Sequence, residues 1–427
     1  MTKMQPQPWM HEPPTRALLD ALARAGIEAR FVGGVVRDAL LGRPIADIDL
    51  ATPARPEEVM AALGGAGIKV VPTGIEHGTV TAVVPPRHYE ITTLRRDVET
   101  YGRRARVAFD ADWAADAARR DFTINAIYLD SNGTLHDPAG GLADLEAHRV
   151  RFVGDPATRI AEDLLRVLRY YRFVARFGGP GNEPGDPAAR AACRAAAPHL
   201  WKLSAERVAG ELFRLLAVPD PLPALRLMDE DLVLAAILPE ARQPDRLARL
   251  VALEPPPPDP LRRLAALVAV DADGAVLMAE RLRLSNAERD RLAGLAPPWP
   301  LDPAGDAKAQ RLALFRLGAA RFRDLALLIA AEGGMAEPRL GELLTFAAAE
   351  PVPKFPLAGR DVLALGILPG VRVGELLAEV QRWWEAGDFA ADRAACLARL
   401  AETALAFLAP SRRKPGSTAR RGRKQPG

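Results

Sequence analysis

The sequence predicts an α+β fold, with a mixed α/β head built on a small sheet and an all-helical remainder. Three observations carry this expectation. Short apolar segments with strand-like alternation cluster between about residues 27 and 151. Beyond about Pro156 the chain offers only helical patterns rich in Ala, Leu, Arg and Glu. Aromatic residues make up only 6% of the chain, a composition that suits helices more than sheets.

The elements follow in order. Residues 1–14 read as irregular, with Pro6, Pro8, Pro13 and Pro14. A short amphipathic helix runs over about residues 15–24. FVGG (31–34) reads as a strand entering a glycine turn, and VVRDALLG (35–42) as a short helix stopped by Gly42. DIDLAT (47–52), TVTAVV (79–84) and HYEITTL (88–94) read as strands. Between Arg95 and Arg119 lies a polar stretch with few periodic signals, long enough for a functional loop. The helical remainder breaks at 178–187, 218–223, 254–260, 297–303 and 350–356, with no fixed repeat period.

The chain has 427 residues, 49% hydrophobic and 26% charged, as expected for a globular protein of two to four domains. Its net charge is +3, but residues 411–427 hold seven Lys or Arg and no acid. Without that end, 50 basic residues face 54 acidic ones. Any nucleic-acid site is therefore a local basic surface and not a property of the whole chain. With only two cysteines, Cys193 and Cys396, the expected compartment is the reducing cytoplasm. No signal or transit segment and no apolar run of 18 residues stands out, so no membrane association is expected.

The chemistry concentrates at Gly33-Gly34-Val35-Val36-Arg37-Asp38 and Asp47-Ile48-Asp49. On a strand, residues two apart share a face. Asp47 and Asp49 then point together while Ile48 turns toward the core. Two neighbouring carboxylates repel unless a divalent cation lies between them. Mg²⁺ takes one or two carboxylates and fills the rest of its shell with waters and substrate phosphates. Gly33 and Gly34 remove side chains where a triphosphate would approach backbone N–H groups, and Arg37 follows one turn later, within reach of phosphate. Glu90 is the candidate third carboxylate, with a solvent-facing Glu as its alternative. A lone D-x-D or GG is common on surfaces. The specific signal is the combination of GG-x-x-R-D, a short helix and a D-x-D strand.

These residues resemble a known family. GGVVRDALLGRPIADIDLAT (33–52) is similar to the first motif of the class II tRNA nucleotidyltransferase and poly(A) polymerase family, within the DNA polymerase beta superfamily. RRDFTINAIYLD (119–130), DPAGGLADLEAHRVRFVGDP (137–156), RIAEDLLRVLRYYRF (159–173) and LSAERVAGEL (203–212) resemble its later motifs, in family order. The resemblance covers about residues 30–215. It implies Mg²⁺ on Asp47 and Asp49 and the triphosphate near Gly33, Gly34 and Arg37. It also implies ribose and phosphate contacts from Arg120, Asp121 and Asn125. The implied organisation is a nucleotidyltransferase head at 27–151 and a helical neck with the nucleotide-selection helix at 152–217. A helical body and tail at 218–409, the tRNA-binding region, completes it, and the low-complexity basic composition of 410–427 reads as a disordered end.

Glu162, Asp163 and Arg166 form an E-D-x-x-R pattern on an expected helix, with Asp163 and Arg166 three apart on one face. An acidic acceptor beside an Arg donor matches the amine and ring nitrogen that cytosine and adenine both present. Guanine and uracil reverse that order. Unpaired buried groups cost about 1–3 kcal/mol each, enough for strong rejection. Arg169 and Arg172 continue the row at steps of three, toward one cleft. Without the surrounding motifs such a pair is a surface salt bridge worth little.

The resemblance implies template-independent addition of C, C and A to the tRNA 3′ end from CTP and ATP. Poly(A) polymerase and a partial, A-adding tRNA nucleotidyltransferase are the alternatives. A catalytically silent RNA-binding relative is the reading from another class. Bare carboxylates beside an RNA phosphate argue against it. TGIEHGTVT (73–81) and a full-length segment before the second motif favour the CCA product. Tyr101 and Asp110 depart from the family pattern in that segment. All six histidines lie at or before His199, so no His-Asp phosphohydrolase domain is expected. The basic end either adds salt-sensitive attraction to RNA or serves as a solubilising terminus. No protein partner is expected.

Overall fold

The structure is a computed structural model that describes residues 2–101, 104–109, 111–179 and 185–408. It divides into two compact units, Met1–Pro298 and Trp299–Gly427. The basic end at 410–427, Asp110 and the side chain of Tyr101 lie outside the described residues.

The first unit opens with α1 (Pro8–His11) and α2 (Pro13–Arg24). Three of the four prolines expected to keep this stretch irregular, Pro8, Pro13 and Pro14, instead occupy first-turn helix positions, while Pro6 precedes α1. Proline is tolerated there because its missing N–H has no helical partner to lose. The strands are β1 (Arg30–Val32), β2 (Ile48–Thr52), β3 (Lys69–Gly74), β4 (Thr79–Val84), β5 (Arg87–Thr93), β8 (Tyr128–Leu129) and β9 (Leu135–His136). They form one mixed sheet in the order β3-β4-β5-β2-β1-β8-β9. Helix α3 (Gly34–Leu40) bridges β1 and β2, and α4 (Pro56–Gly65) follows β2.

Edge strand β3 escaped the sequence reading because Pro72 interrupts its pattern. The register shifts between Val71 and Gly74, the irregularity that an edge strand tolerates around proline. The expected loop after Arg95 contains a separate hairpin, β6 (Arg95–Tyr101) with β7 (Arg104–Phe109). Helix α5 (Trp113–Ala118) then leads to the second motif.

Strand alternation places the site. Ile48, Leu50, Tyr89 and Ile91 are buried. Asp49 and Glu90, one residue out of phase, are turned to the other face. Strands β2 and β5 run parallel, with Asp49 paired directly with Glu90.

After α6 (Gly141–Glu146) no strand appears among the described residues. Helices α7 (Pro156–Glu162), α8 (Leu165–Phe177), α9 (Pro187–Ala196) and α10 (Ala205–Leu216) follow, then further helices to Leu295. Aromatic packing ties α8 to the head: the ring of Phe173 lies 4.7 Å from Phe122, and Tyr170 stacks on Phe152 at 5.7 Å. The second unit has its own core, including Val362, Leu376, Val380, Trp384 and Leu400. Among the described residues no helix is long and apolar enough to cross a membrane.

Candidate active site

Gly33 stands at the turn between β1 and α3 with φ 73° and ψ −126°, a conformation that L side chains rarely adopt. A Cβ there would lie 3.6 Å from Arg120 Nη1, so the turn is also closely approached from the second motif. At Gly34 a Cβ would meet Arg37 Nη2 at 3.6 Å. Arg37 is buried and donates to Asp38 at 2.9 Å and to Asn125 Oδ1. Burial lowers its pKa, opposed by the Asp38 carboxylate. Guanidinium nonetheless stays charged.

Asp47 is exposed just before β2, Asp49 is half-buried within it, and Glu90 is exposed across from Asp49. Burial pushes the Asp49 carboxyl up to about 6, and the charges of Glu90 and then Asp47 add to the push. Arg120 opposes them without cancelling them. Glu90 and Asp47 are thus near enough for their charges to act on Asp49. Among the described residues no trio of His, Cys, Asp or Glu converges as a ready-made metal cage. A hard cation such as Mg²⁺ takes few protein ligands and relies on substrate phosphates for the rest. An all-oxygen donor set with unrelieved negative charge fits a divalent cation.

The second motif is built around a residue that the sequence reading missed. Asp116 is fully buried and accepts from Arg119 at 2.6 Å, Arg120 at 3.0 Å and the Tyr128 hydroxyl at 2.8 Å. Its signal was available: a carboxylate three and four residues before an Arg pair at a helix end. Asp121 accepts from Phe122 N at 2.8 Å, Asn125 Nδ2 at 2.9 Å and Arg169. Burial alone would raise its pKa. Arg169 and these hydrogen bonds outweigh burial and hold it at about 2. Arg37, Asn125, Asp121 and Arg169 therefore form one continuous chain of polar contacts.

The expected single helix through E-D-x-x-R is corrected. Glu162 ends α7, and Asp163 is extended at φ −151° and ψ 107°. The physical reason is capping. The Asp163 carboxylate accepts from Leu165 N at 3.0 Å and so starts α8. Asp side chains compete with helical continuation in this way. Its other oxygen accepts from Arg207 of α10 at 2.7 Å. Arg166 pairs with Glu162 at 2.5 Å and donates to Arg159 O at 2.9 Å and Arg119 O at 3.3 Å. Asp163 and Arg166 are therefore close in sequence but bound to different partners.

The expected row also divides. Arg169 reaches Asp121 of the head, while Arg172 pairs with the buried Glu211 of α10 at 2.5 Å. Arg207 and Glu211 belong to LSAERVAGEL, a motif whose residues carried no role from sequence. Their signal was the motif itself.

Residues 29–151 match the model of the poly A polymerase head domain. Residues 186–243 match a probable RNA and SrmB-binding site of polymerase A. The mitochondrial CCA tRNA nucleotidyltransferase 1 of Danio rerio is 34% identical over 408 residues, covering 90% of each chain. A CCA-adding enzyme of Geobacillus thermodenitrificans is 43% identical over 215 residues, 50% of this chain and 51% of that protein. The crystal structure of the Bacillus stearothermophilus CCA-adding enzyme with CTP superposes at a TM-score of 0.75 and 31% identity. It covers 93% of this chain and 99% of that one. With a head-domain match spanning the carboxylates and a relative aligned along nine-tenths of its length, the chain is a nucleotidyltransferase that belongs to the CCA-adding tRNA nucleotidyltransferase and poly(A) polymerase family.

Proposed function

We propose that this protein adds C, C and A in turn to the 3′ end of tRNA, without a template, from CTP and ATP. The observation that carries the chemistry is the pairing of Asp49 with Glu90 on parallel strands beside Asp47, with the Asp49 carboxyl pushed up to about 6 by burial and its neighbours. The observation that favours this product is the 34% identity to a CCA tRNA nucleotidyltransferase along 90% of both chains.

Enzymes of this family use a divalent metal, which we read as Mg²⁺ held by Asp47 and Asp49 with Glu90 as the third carboxylate. When bound, the cation steadies the attacking and leaving oxygens of the displacement. The tRNA 3′ oxygen bonds to the α-phosphorus as its proton passes to solvent water, and the bond to the bridging oxygen breaks to release pyrophosphate. Gly33 and Gly34 leave room for the triphosphate, and Arg37 donates to it. Arg120, Asp121 and Asn125 orient the ribose, and Asp116 positions Arg120.

Base choice falls to Asp163 and Arg166. Each Asp163 oxygen has one protein partner and keeps a lone pair for a base amine. Arg166 turns from Glu162 to donate to the ring nitrogen. Arg169 and Arg172 support this site through Asp121 and Glu211. We assign residues 27–151 to the catalytic head, 152–217 to the neck and 218–409 to a helical body and tail that hold tRNA by shape and phosphates. Two free, buried cysteines, Cys193 and Cys396, favour a reducing compartment, which we read as the cytoplasm.

The test supplies purified protein with tRNA lacking its 3′ end, gives CTP and ATP together and apart, and sequences the products. CCA with both and CC with CTP alone are expected. Runs of A from ATP alone would assign a poly(A) polymerase instead.

A further inference from the structure

Around Phe173 and Phe177, on the last turns of α8, guanidinium groups outnumber carboxylates. Arg37 lies 4.1 Å from the Phe177 ring, Arg43 4.8 Å and Arg176 5.2 Å. Arg169 and Arg172 lie 5.7 and 4.7 Å from Phe173. Their acidic partners are Asp38 for Arg37 and Arg176, Asp121 for Arg169, and Glu211 for Arg172. Glu211 is further shared with Arg214. Arg43 donates to the Arg176 carbonyl at 2.9 Å and has no carboxylate partner among the described residues. The Arg176 contact to Asp38 is a long 3.5 Å, and its side chain is 45% exposed. The cluster therefore carries an uncompensated positive edge that solvent can reach.

The position of this edge along α8 points to its ligand. The helix rises about 1.5 Å per residue, so Arg166 and Arg176 lie about 15 Å apart along it. Between them, in order, come Arg169 on Asp121 and Phe173 beside Arg37. The proposed base reader, ribose site and phosphate donor thus follow one another toward Arg176. This is the order of the parts of a nucleoside triphosphate, and the span is comparable to its length.

We propose that Arg43 and Arg176, carried against Phe177, form an anchoring site for the terminal phosphates of the incoming nucleotide and for the pyrophosphate that leaves. This rests on the nucleotide-site reading above and adds two residues to which that reading gives no role, Arg43 within the first motif and Arg176 just after RIAEDLLRVLRYYRF. Guanidinium donates in pairs to phosphate oxygens, and phosphate supplies the charge that the edge lacks. Because both nucleotides share these phosphates, the site serves CTP and ATP alike and takes no part in choosing between bases.

The experiment measures binding of CTP, CMP and inorganic pyrophosphate in Mg²⁺ to the wild-type protein and to Arg43→Gln and Arg176→Gln, with KM values for tRNA and selection of CTP over UTP. Glutamine at 43 keeps a donor for the Arg176 carbonyl while removing the charge. The expected result is CTP and pyrophosphate binding weakened about tenfold, with CMP binding, tRNA KM and selection unchanged. Arg176→Lys, which keeps the charge, recovers part of the loss. Unchanged CTP and pyrophosphate binding would overturn the proposal. So would a rise in tRNA KM in its place, which would assign the edge to the RNA backbone. A joint loss of CMP binding and selection would overturn it too, by showing that the substitutions only disturb α8. A wild-type protein that binds none of the three ligands would sink the nucleotide-site reading, and this inference with it.

Discussion

Asp49, proposed above as a metal ligand, works against the stability of its own fold. Its carboxyl is raised from 3.8 to about 6, first by burial and then by Glu90 and Asp47. Between these two values the folded metal-free protein binds more protons than the unfolded chain. Stability therefore falls as pH rises through that window, and the penalty is complete above about pH 6. A rise from 3.8 to about 6 corresponds to at most about 3 kcal/mol. Asp49→Asn is expected to raise the melting temperature of the metal-free protein by a few degrees at pH 7 and by much less near pH 4. Calorimetry at both pH values checks this, and equal melting of the two proteins at pH 7 would contradict the electrostatic account. Arg166 gives a second residue-scale prediction. Arg166→Ala is expected to loosen selection against UTP and GTP about tenfold or more. Competition assays with all four nucleotides read it, and intact selection would remove Arg166 from the reading role.

At the scale of elements, the strands at the site were legible and their pairing was not. DIDLAT and HYEITTL alternate apolar and polar residues, and the sheet uses that alternation. The Asp49 to Glu90 register joins residues 41 apart, which no local pattern encodes. Glu90 was legible as a strand carboxylate but not as the direct neighbour of Asp49. The helix break at Asp163 was illegible for the opposite reason. Every residue around it favours helix, and one side-chain cap on Leu165 N overrides that preference. Asp116 was missed because a buried carboxylate between two arginines and a tyrosine looks, in sequence, like an ordinary helix-surface acid. The cap yields a prediction at this scale. Asp163→Asn keeps an acceptor for Leu165 N, so its melting temperature is expected to stay near that of the wild type. Its loss of a charged acceptor for the base amine is expected to reduce discrimination between CTP and UTP. Thermal melting and nucleotide competition check the two halves separately, and an Asn variant that selects normally would rule out Asp163 as the acid of the reader.

For the whole molecule, the α+β head and helical remainder follow from composition and periodicity, because both report burial patterns that hold over many residues. The compact units divide at Pro298, within the 297–303 break that prolines mark in the sequence. The charge balance of 50 basic to 54 acidic residues before the last 17 says why no global signal announced an RNA partner. The basic groups are instead gathered locally, as around Phe173 and Phe177. Phosphoryl transfer at Asp47 and Asp49 is the claim on which the other assignments depend. The most direct measurement is incorporation of a single C into tRNA lacking its 3′ end, by the wild-type protein and by Asp49→Ala, with and without Mg²⁺ and with tRNA binding measured in parallel. The account predicts Mg²⁺-dependent incorporation by the wild type, none by Asp49→Ala, and tRNA binding that survives in both. Normal turnover by Asp49→Ala, or wild-type turnover indifferent to divalent metal, would contradict it.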